Sequence, residues 1–126
     1  MAAQRALAIG DHDEALREAE AALASAEELG VPAFIGVAHR VLGQVKAAAF
    51  GDAEAAEEHF ETSLAVFEML ENDHELAKTH AAYGEVLAAG GRTDAAGGHL
   101  QLAVEVFRRS GARGRLSRLE PLLGEP

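Results

Sequence analysis

Cysteine is absent from this chain, which excludes disulfides, thiolate metal sites and cysteine nucleophiles. Tryptophan is absent as well, and aromatic residues make up only 5% of the sequence. The apolar content is therefore mostly Ala, Leu and Val, a mixture that suits closely approaching helices better than paired strands. There is no long hydrophobic run. The longest uncharged, strongly apolar stretch, Leu29 to Ala38, is about half of the roughly 20 residues that a membrane-spanning helix needs. The N-terminus lacks a basic flank followed by an apolar run, so no export signal is read and a cytoplasmic location is expected.

Positive charge is also scarce. Lys and Arg number 11 against 21 Asp and Glu, for a net charge of -10. Nucleic-acid affinity rests on Lys and Arg displacing counterions from phosphates, so neither DNA nor RNA is an expected partner. The imbalance is uneven along the chain: residues 1 to 75 hold 16 acids and 4 bases, whereas residues 76 to 126 hold 5 acids and 7 bases. Arg108, Arg109, Arg113, Arg115 and Arg118 follow one another without an intervening acid. Two readings fit this basic end: a surface for head-to-tail contacts or an acidic partner, and a solvated helix end whose arginines complement the helix dipole.

What the chain does contain is a unit of about 40 residues written three times, and periods of 20 to 50 residues mean stacked supersecondary units. Gly10-Asp11, Ala15-Leu16, Ala19 and Ala22-Leu23 reappear as Gly51-Asp52, Ala56, Phe60 and Ser63-Leu64, and again as Gly91, Ala96, Leu100 and Ala103-Val104. A further match, Leu42-Gly43 against Tyr83-Gly84, precedes the second and third copies.

The local signals inside the repeat are helical. Asp11 stands as an N-cap before an apolar stripe of Ala15, Leu16, Ala19, Ala22, Leu23 and Ala26, at the 3, 4 and 7 spacing of a buried helix face. Gly30 ends this helix at Leu29, and Pro32 suits the first turn of the next. The second helix, Ala33 to Phe50, carries Val37, Val41, Leu42, Val45 and Ala48, with Gly43 placed for close approach of a neighbouring backbone. Gly51-Asp52 then breaks the chain. A helix from Ala53 to about Leu70 buries Ala56, Phe60, Ser63, Leu64 and Phe67 and turns its glutamates to water. Asn72 or Asp73 caps the helix over 74–89, Gly90-Gly91 stops it, and Thr93 or Asp94 opens a last long helix to about Ser110. Adjacent Gly97 and Gly98 in that helix, each costing about 1 kcal/mol relative to Ala, predict tight helix packing or a weak turn. Beyond Gly111, Leu116, Leu119, Leu122 and Leu123 share one side of a short segment, shortened by Pro121, that caps the last helix pair.

These residues resemble the tetratricopeptide repeat (TPR) family: a large residue followed by Gly in the leading helix, a Gly or Gly-Asp turn, and an Ala early in the second helix (Ala15, Ala56, Ala96). Four residues on come Ala19, Phe60 and Leu100, and three beyond those come Ala22, Ser63 and Ala103. The resemblance covers residues 1 to about 111. It implies an all-α fold, a right-handed α-solenoid of antiparallel helix pairs with about six to seven helices, in which small residues let the two helices of a pair cross closely. The expected organisation is one TPR-like domain over 1–126, with a partial first repeat (1–30), a second repeat (33–71), a third (74–111) and a C-terminal capping helix and tail (112–126). The period exceeds the family's usual 34 or so residues and resembles the longer repeats of bacterial signalling proteins and large transcription activators. With only residues 1 to 9 in place of a full leading helix, the chain reads as a fragment or truncated array. The helix from Ala15 to Leu29 is then partly uncovered, and self-association through that face is expected.

Six histidines invite a metal or catalytic reading, and each spacing fails. The run His74-Glu75-Leu76-Ala77-Lys78 starts like a zinc-protease helix but has Lys78 where the second ligand belongs. Glu71 and His74 form a single Glu-x-x-His pair, whereas a bundle di-metal site needs two and further carboxylates. Asp11-His12-Asp13 is explained by a helix cap with acids in its first turn. His39 and His80 recur at the repeat period, as do His59 and His99, which favours a packing or surface role. No nucleophile elbow, phosphate-cradling loop or dinucleotide fingerprint occurs. The expectation is a non-enzyme with no catalytic residues, no metal site and no cofactor.

In the family the leading helix of each unit lines a concave groove. The positions on that side are Val37, Arg40, Gln44 and Ala47, then Lys78, Ala81, Glu85 and Ala88. Members that grip a C-terminal carboxylate use Lys, Arg and Asn at such places, and Arg40 and Lys78 are present here without an Asn. The two expected roles are a protein or peptide interaction scaffold, as part of a larger bacterial regulator, and a self-assembly element joined through its open repeat ends or its C-terminal helix. Plain solvated helix surface is the alternative for the eight positions.

Overall fold

Five helix starts and stops follow from side-chain and backbone chemistry at the turns. Asp11, Asp52 and Asn72 each use a side-chain oxygen to accept the amide of the residue three positions on, Glu14, Ala55 and Glu75, at 3.1–3.2 Å. Each satisfies one amide that the first helical turn leaves unpaired. At the other ends, Gly30 and Gly51 adopt left-handed backbone, with φ of 68° and 61°, which glycine enters without a Cβ clash. Backbone bonds of 2.9 Å close the turns, from Asp11 to Ala6, Arg92 to Leu87 and Ala112 to Phe107.

The computed structural model describes residues 1–124. It contains α1 (Ala2–Ala8), α2 (His12–Leu29), α3 (Pro32–Phe50), α4 (Ala53–Met69), α5 (Asp73–Ala89), α6 (Thr93–Ser110) and α7 (Arg113–Leu119), followed by a 3-10 turn over Glu120–Leu123. No strand occurs among the described residues. The fold is the all-α helical repeat expected from the sequence. The last two residues of the 112–126 segment lie outside the described residues. The chain divides into two compact units, Met1–Leu70 and the remainder from Glu71. The division falls in the turn between α4 and α5.

In the first unit, α1 and α2 pack on each other and on α3, and α3 pairs with α4. Ala3, Ala6, Ala15, Ala19, Val41, Leu42 and Val45 form one buried cluster, with Leu7, Leu16, Leu23, Val37 and Ala49 packed around it. The short α1 thus covers Ala15 and Ala19 of α2, while the far end of α2 is less covered: Leu29 is 68% exposed. On the other side of α3, Phe60 and Phe67 of α4 are fully buried. A Cβ on Gly43 would stand 2.9 Å from the Phe60 ring, and one on Gly36 would stand 2.7 Å from the Phe67 ring. Gly43 therefore admits an aromatic ring rather than the neighbouring backbone. Each buried phenylalanine contributes about 1.5–3 kcal/mol of apolar burial.

In the second unit, α5 pairs with α6, and α7 and the 3-10 turn pack on α6. Gly84 repeats the role of Gly43, but its partner is Leu100, whose Cδ2 and Cγ would lie 2.7 Å from an added Cβ. Two expectations are corrected here. Gly97 and Gly98 have no neighbouring atom within 4 Å of an added Cβ, and α6 runs through them, so they mark neither tight packing nor a weak turn. Of the four C-terminal leucines, Leu119 is fully buried, whereas Leu122 is exposed, because the 3-10 turn after Leu119 rotates it out of the helical stripe. Thr93 is the first residue of α6, preceded by Arg92 with no side-chain cap bond.

Candidate functional site

Helices α3 and α5 each bury one face against the second helix of their pair, through Gly36 and Gly43 in one and Gly84 in the other. What remains on them divides by position. On α3, Val37 packs against the hydrophobic cluster, so its side chain supports the helix. Arg40 is half-buried, with its guanidinium carbon 5.9 Å from the centroid of the Phe67 ring, a cation–π distance that holds the charge at the helix surface. Gln44 accepts a long hydrogen bond from Gln4 of α1 at 3.5 Å, and Ala47 is half-buried.

On α5, Lys78 donates to Glu75 one turn earlier at 3.3 Å. Glu85 accepts from Arg118 of α7 at 3.0 Å. Ala88 is half-buried, whereas Ala81 is only 3% exposed and acts in packing. The α3 positions lie in the first unit and the α5 positions in the second. The α3 positions carry one charge, Arg40, whereas the α5 positions carry both signs, Lys78 and Glu85, each engaged in an ion pair. The Glu85–Arg118 pair is exposed, and such a pair is worth about 0–1 kcal/mol, so exchanging it for a ligand's charges costs little; the Lys78–Glu75 pair is half-buried.

The structure also brings together side chains that spacing alone had treated singly. His39 Nδ1 lies 3.0 Å from His59 Nδ1, and His80 Nδ1 lies 2.9 Å from His99 Nδ1. Each pair bridges the leading and second helices of one unit, and the Tyr83 ring lies 4.4 Å from the His99 ring, centroid to centroid. Recurrence at the repeat period predicts a packing or surface role. Periodicity relates His39 to His80 and His59 to His99, one repeat apart, and carries no signal for a contact across one helix pair. Burial pushes the pKa values of His39 and His59 down; Glu27 opposes this at His39, while His39 and Lys46 add to it at His59 against Glu58. Burial and then His99 push that of His80 down to about 4. Among the described residues no group of three or more His, Cys, Asp or Glu side chains gathers to hold a metal, and no helix is long and apolar enough to cross a membrane.

The order of helices, the small residues at their crossings and the repeat period together decide the family. Residues 34–109 match the family model described as tetratricopeptide repeat. The chain belongs to the tetratricopeptide repeat family. Neither a curated protein nor a solved structure matches it. The matched segment begins in α3 and ends in α6, so it takes in both helix pairs that carry the glycine contacts and the histidine pairs. Tetratricopeptide repeats serve in general as protein–protein interaction scaffolds and are typically non-catalytic. In repeat architectures such as this one, stacked units supply extended surface for contact.

Proposed function

We propose that this tetratricopeptide repeat protein is a non-catalytic, cytoplasmic scaffold that binds a protein or peptide through its leading helices α3 and α5. In this reading it is a segment of a larger bacterial regulatory or signalling protein. The observation that carries the reading is the state of those helices. Their packing faces are filled, while Arg40, Gln44 and Ala47 on one and Lys78, Glu85 and Ala88 on the other remain partly exposed and bear both signs of charge. Arg40 and Lys78 suit acidic groups of a ligand, and Glu85 suits a basic one. Without an Asn among these positions, a dedicated clamp for a peptide carboxylate is not part of the proposal. Nucleic acid and membrane are not proposed partners.

The test is affinity capture from the native lysate with the wild-type chain and with Arg40→Glu and Glu85→Lys. A partner retained by the wild type and lost by both folded variants supports the assignment. Unchanged affinity for every partner contradicts it. A second reading, self-assembly through the repeat ends, is favoured by the exposed Ile9 and Leu29, 78% and 68%, in the first unit and the arginine cluster in the second. Light scattering that finds a strict monomer at high concentration sinks it.

A further inference from the structure

The imidazole pairs stand on the packed side of each helix pair, and their geometry restricts what they do. The ring centroids are 5.3 Å apart for His39 and His59 and 5.1 Å apart for His80 and His99, with interplanar angles of 33° and 31°. Each separation exceeds the Nδ1 to Nδ1 distance by about a ring radius at either end, so the rings meet head-on. One Nδ1 must then carry hydrogen and donate while the other offers its lone pair. A metal ion does not fit this arrangement, since two collinear bonds of about 2.0–2.1 Å would hold the nitrogens roughly 4 Å apart.

The head-on contact sets a limit on protonation. A first added proton goes to Nε2 of the donor ring, leaves the Nδ1–H to Nδ1 bond in place and makes it charge-assisted. A second proton must take the acceptor lone pair, which removes the bond and sets two like charges against each other. We propose that each histidine pair is a pH-sensitive clasp between the leading and second helices of its unit, closed with no added proton or one and opened by the second.

The charged surroundings differ between the units. Around the first clasp, α2 contributes Glu27, α3 Lys46 and α4 Glu58, so carboxylates partly support a charged ring. In the second, the neighbouring charge that acts on His80 is His99. Elsewhere in that unit the charges are joined in pairs, Lys78–Glu75 on α5, Glu85–Arg118 between α5 and α7, and Arg108–Glu120 between α6 and the 3-10 turn. The direction of the pH effect follows. A histidine whose folded pKa lies below the ordinary value of 6.5 binds fewer protons folded than unfolded, so its stabilisation is complete above that value. It is lost as pH falls toward the folded pKa, about 4 for His80, because the unfolded chain takes up more protons across that window.

Two measurements on the full chain test the clasp. Imidazole nitrogen shifts followed by NMR from pH 8 to 4 should show His39 with His59, and His80 with His99, titrating as coupled pairs. The second proton of each should enter more than about one pH unit below the first, as for any strongly interacting sites. Four independent single-step titrations near the ordinary value overturn the proposal. The second measurement compares urea stability between pH 7 and 4.5 for the wild type and for His59→Gln with His99→Gln, which keep an oxygen to accept the Nδ1 proton. Carboxylate protonation is common to both chains. The wild type should lose at least about tenfold more in its folded-to-unfolded ratio than the variant over this range. Parallel losses overturn the proposal, and if the variant does not fold, the wild-type titration alone decides.

Discussion

The helix pairs α3/α4 and α5/α6 are written on one repeat yet packed with different side chains. In the first, two glycines admit two aromatic rings: Gly43 takes Phe60 and Gly36 takes Phe67. In the second, Gly84 takes the branched aliphatic Leu100, and the position one repeat after Gly36 is the buried Ala77. The counterpart of Phe67, Phe107, is fully buried and meets the edge of His74. Both phenylalanines carry an arginine, Arg40 at 5.9 Å and Arg115 at 5.5 Å from the ring centroids, but the first comes from the leading helix and the second from α7. The repeat thus specifies a small residue facing a large one at each crossing, and leaves the shape of the large one open so long as volume is made up nearby.

Truncation should break this comparison most strongly. Phe60→Ala empties the space above Gly43 and should cost about 3–5 kcal/mol, whereas Leu100→Ala over Gly84 should cost about 2–5 kcal/mol. Urea unfolding of the two variants measures both, and a loss under 1 kcal/mol in either would remove that crossing from the account. Filling the glycine side comes next. Gly43→Ala or Gly84→Ala places a methyl 2.9 or 2.7 Å from a buried side chain. Overpacking of about 1–3 kcal/mol should outweigh the roughly 1 kcal/mol that Ala gains in helix propensity. Thermal melts should therefore show both variants less stable than the wild type.

The opposite sign is expected one helix further on. Gly97 and Gly98 face open space, so Gly97→Ala and Gly98→Ala should each stabilise α6 by about 1 kcal/mol. Equal destabilisation at all four glycines would show that the crossings are not the tight points. The smallest effect concerns the turn that recurs at Gly30, Glu71 and Gly111. All three are left-handed, but Glu71 holds φ 53° with a side chain, and Glu71→Gly should stabilise by a few tenths of a kcal/mol once the chain-entropy cost of glycine is subtracted. A denaturation midpoint that moves down instead would mean that the glutamate side chain outweighs its backbone strain.

Much of this was legible in the sequence because the signals were local or periodic. The cap at Asp11, the stop at Gly30, the break at Gly51-Asp52, a cap at Asn72 or Asp73, and the stripe ending in Phe60 and Phe67 each follow from spacing within one helix or turn. The role of Gly36 was not legible, since its contact with Phe67 depends on how α3 crosses α4. Gly97 and Gly98 misled for the same reason: composition signals a small residue but not whether anything lies above it. Among the surface positions, the sequence singled out Arg40 and Lys78 as charged groups on leading helices. It placed Val37 both in the apolar set of its helix and on the groove side, and it did not reveal that Ala81 turns inward, that Arg118 reaches Glu85, or that the histidines face each other across a helix pair. Those facts live in tertiary packing.

Site-specific photo-crosslinking in the native lysate tests the central claim, that the leading helices are the contact surface, most directly. A photoreactive residue at Gln44 or Ala88 should give adducts to a common protein, while the same residue at Glu57 or Glu61, exposed on α4, should give none. Adducts from the α4 positions alone, or equally from all four, would contradict the assignment of α3 and α5.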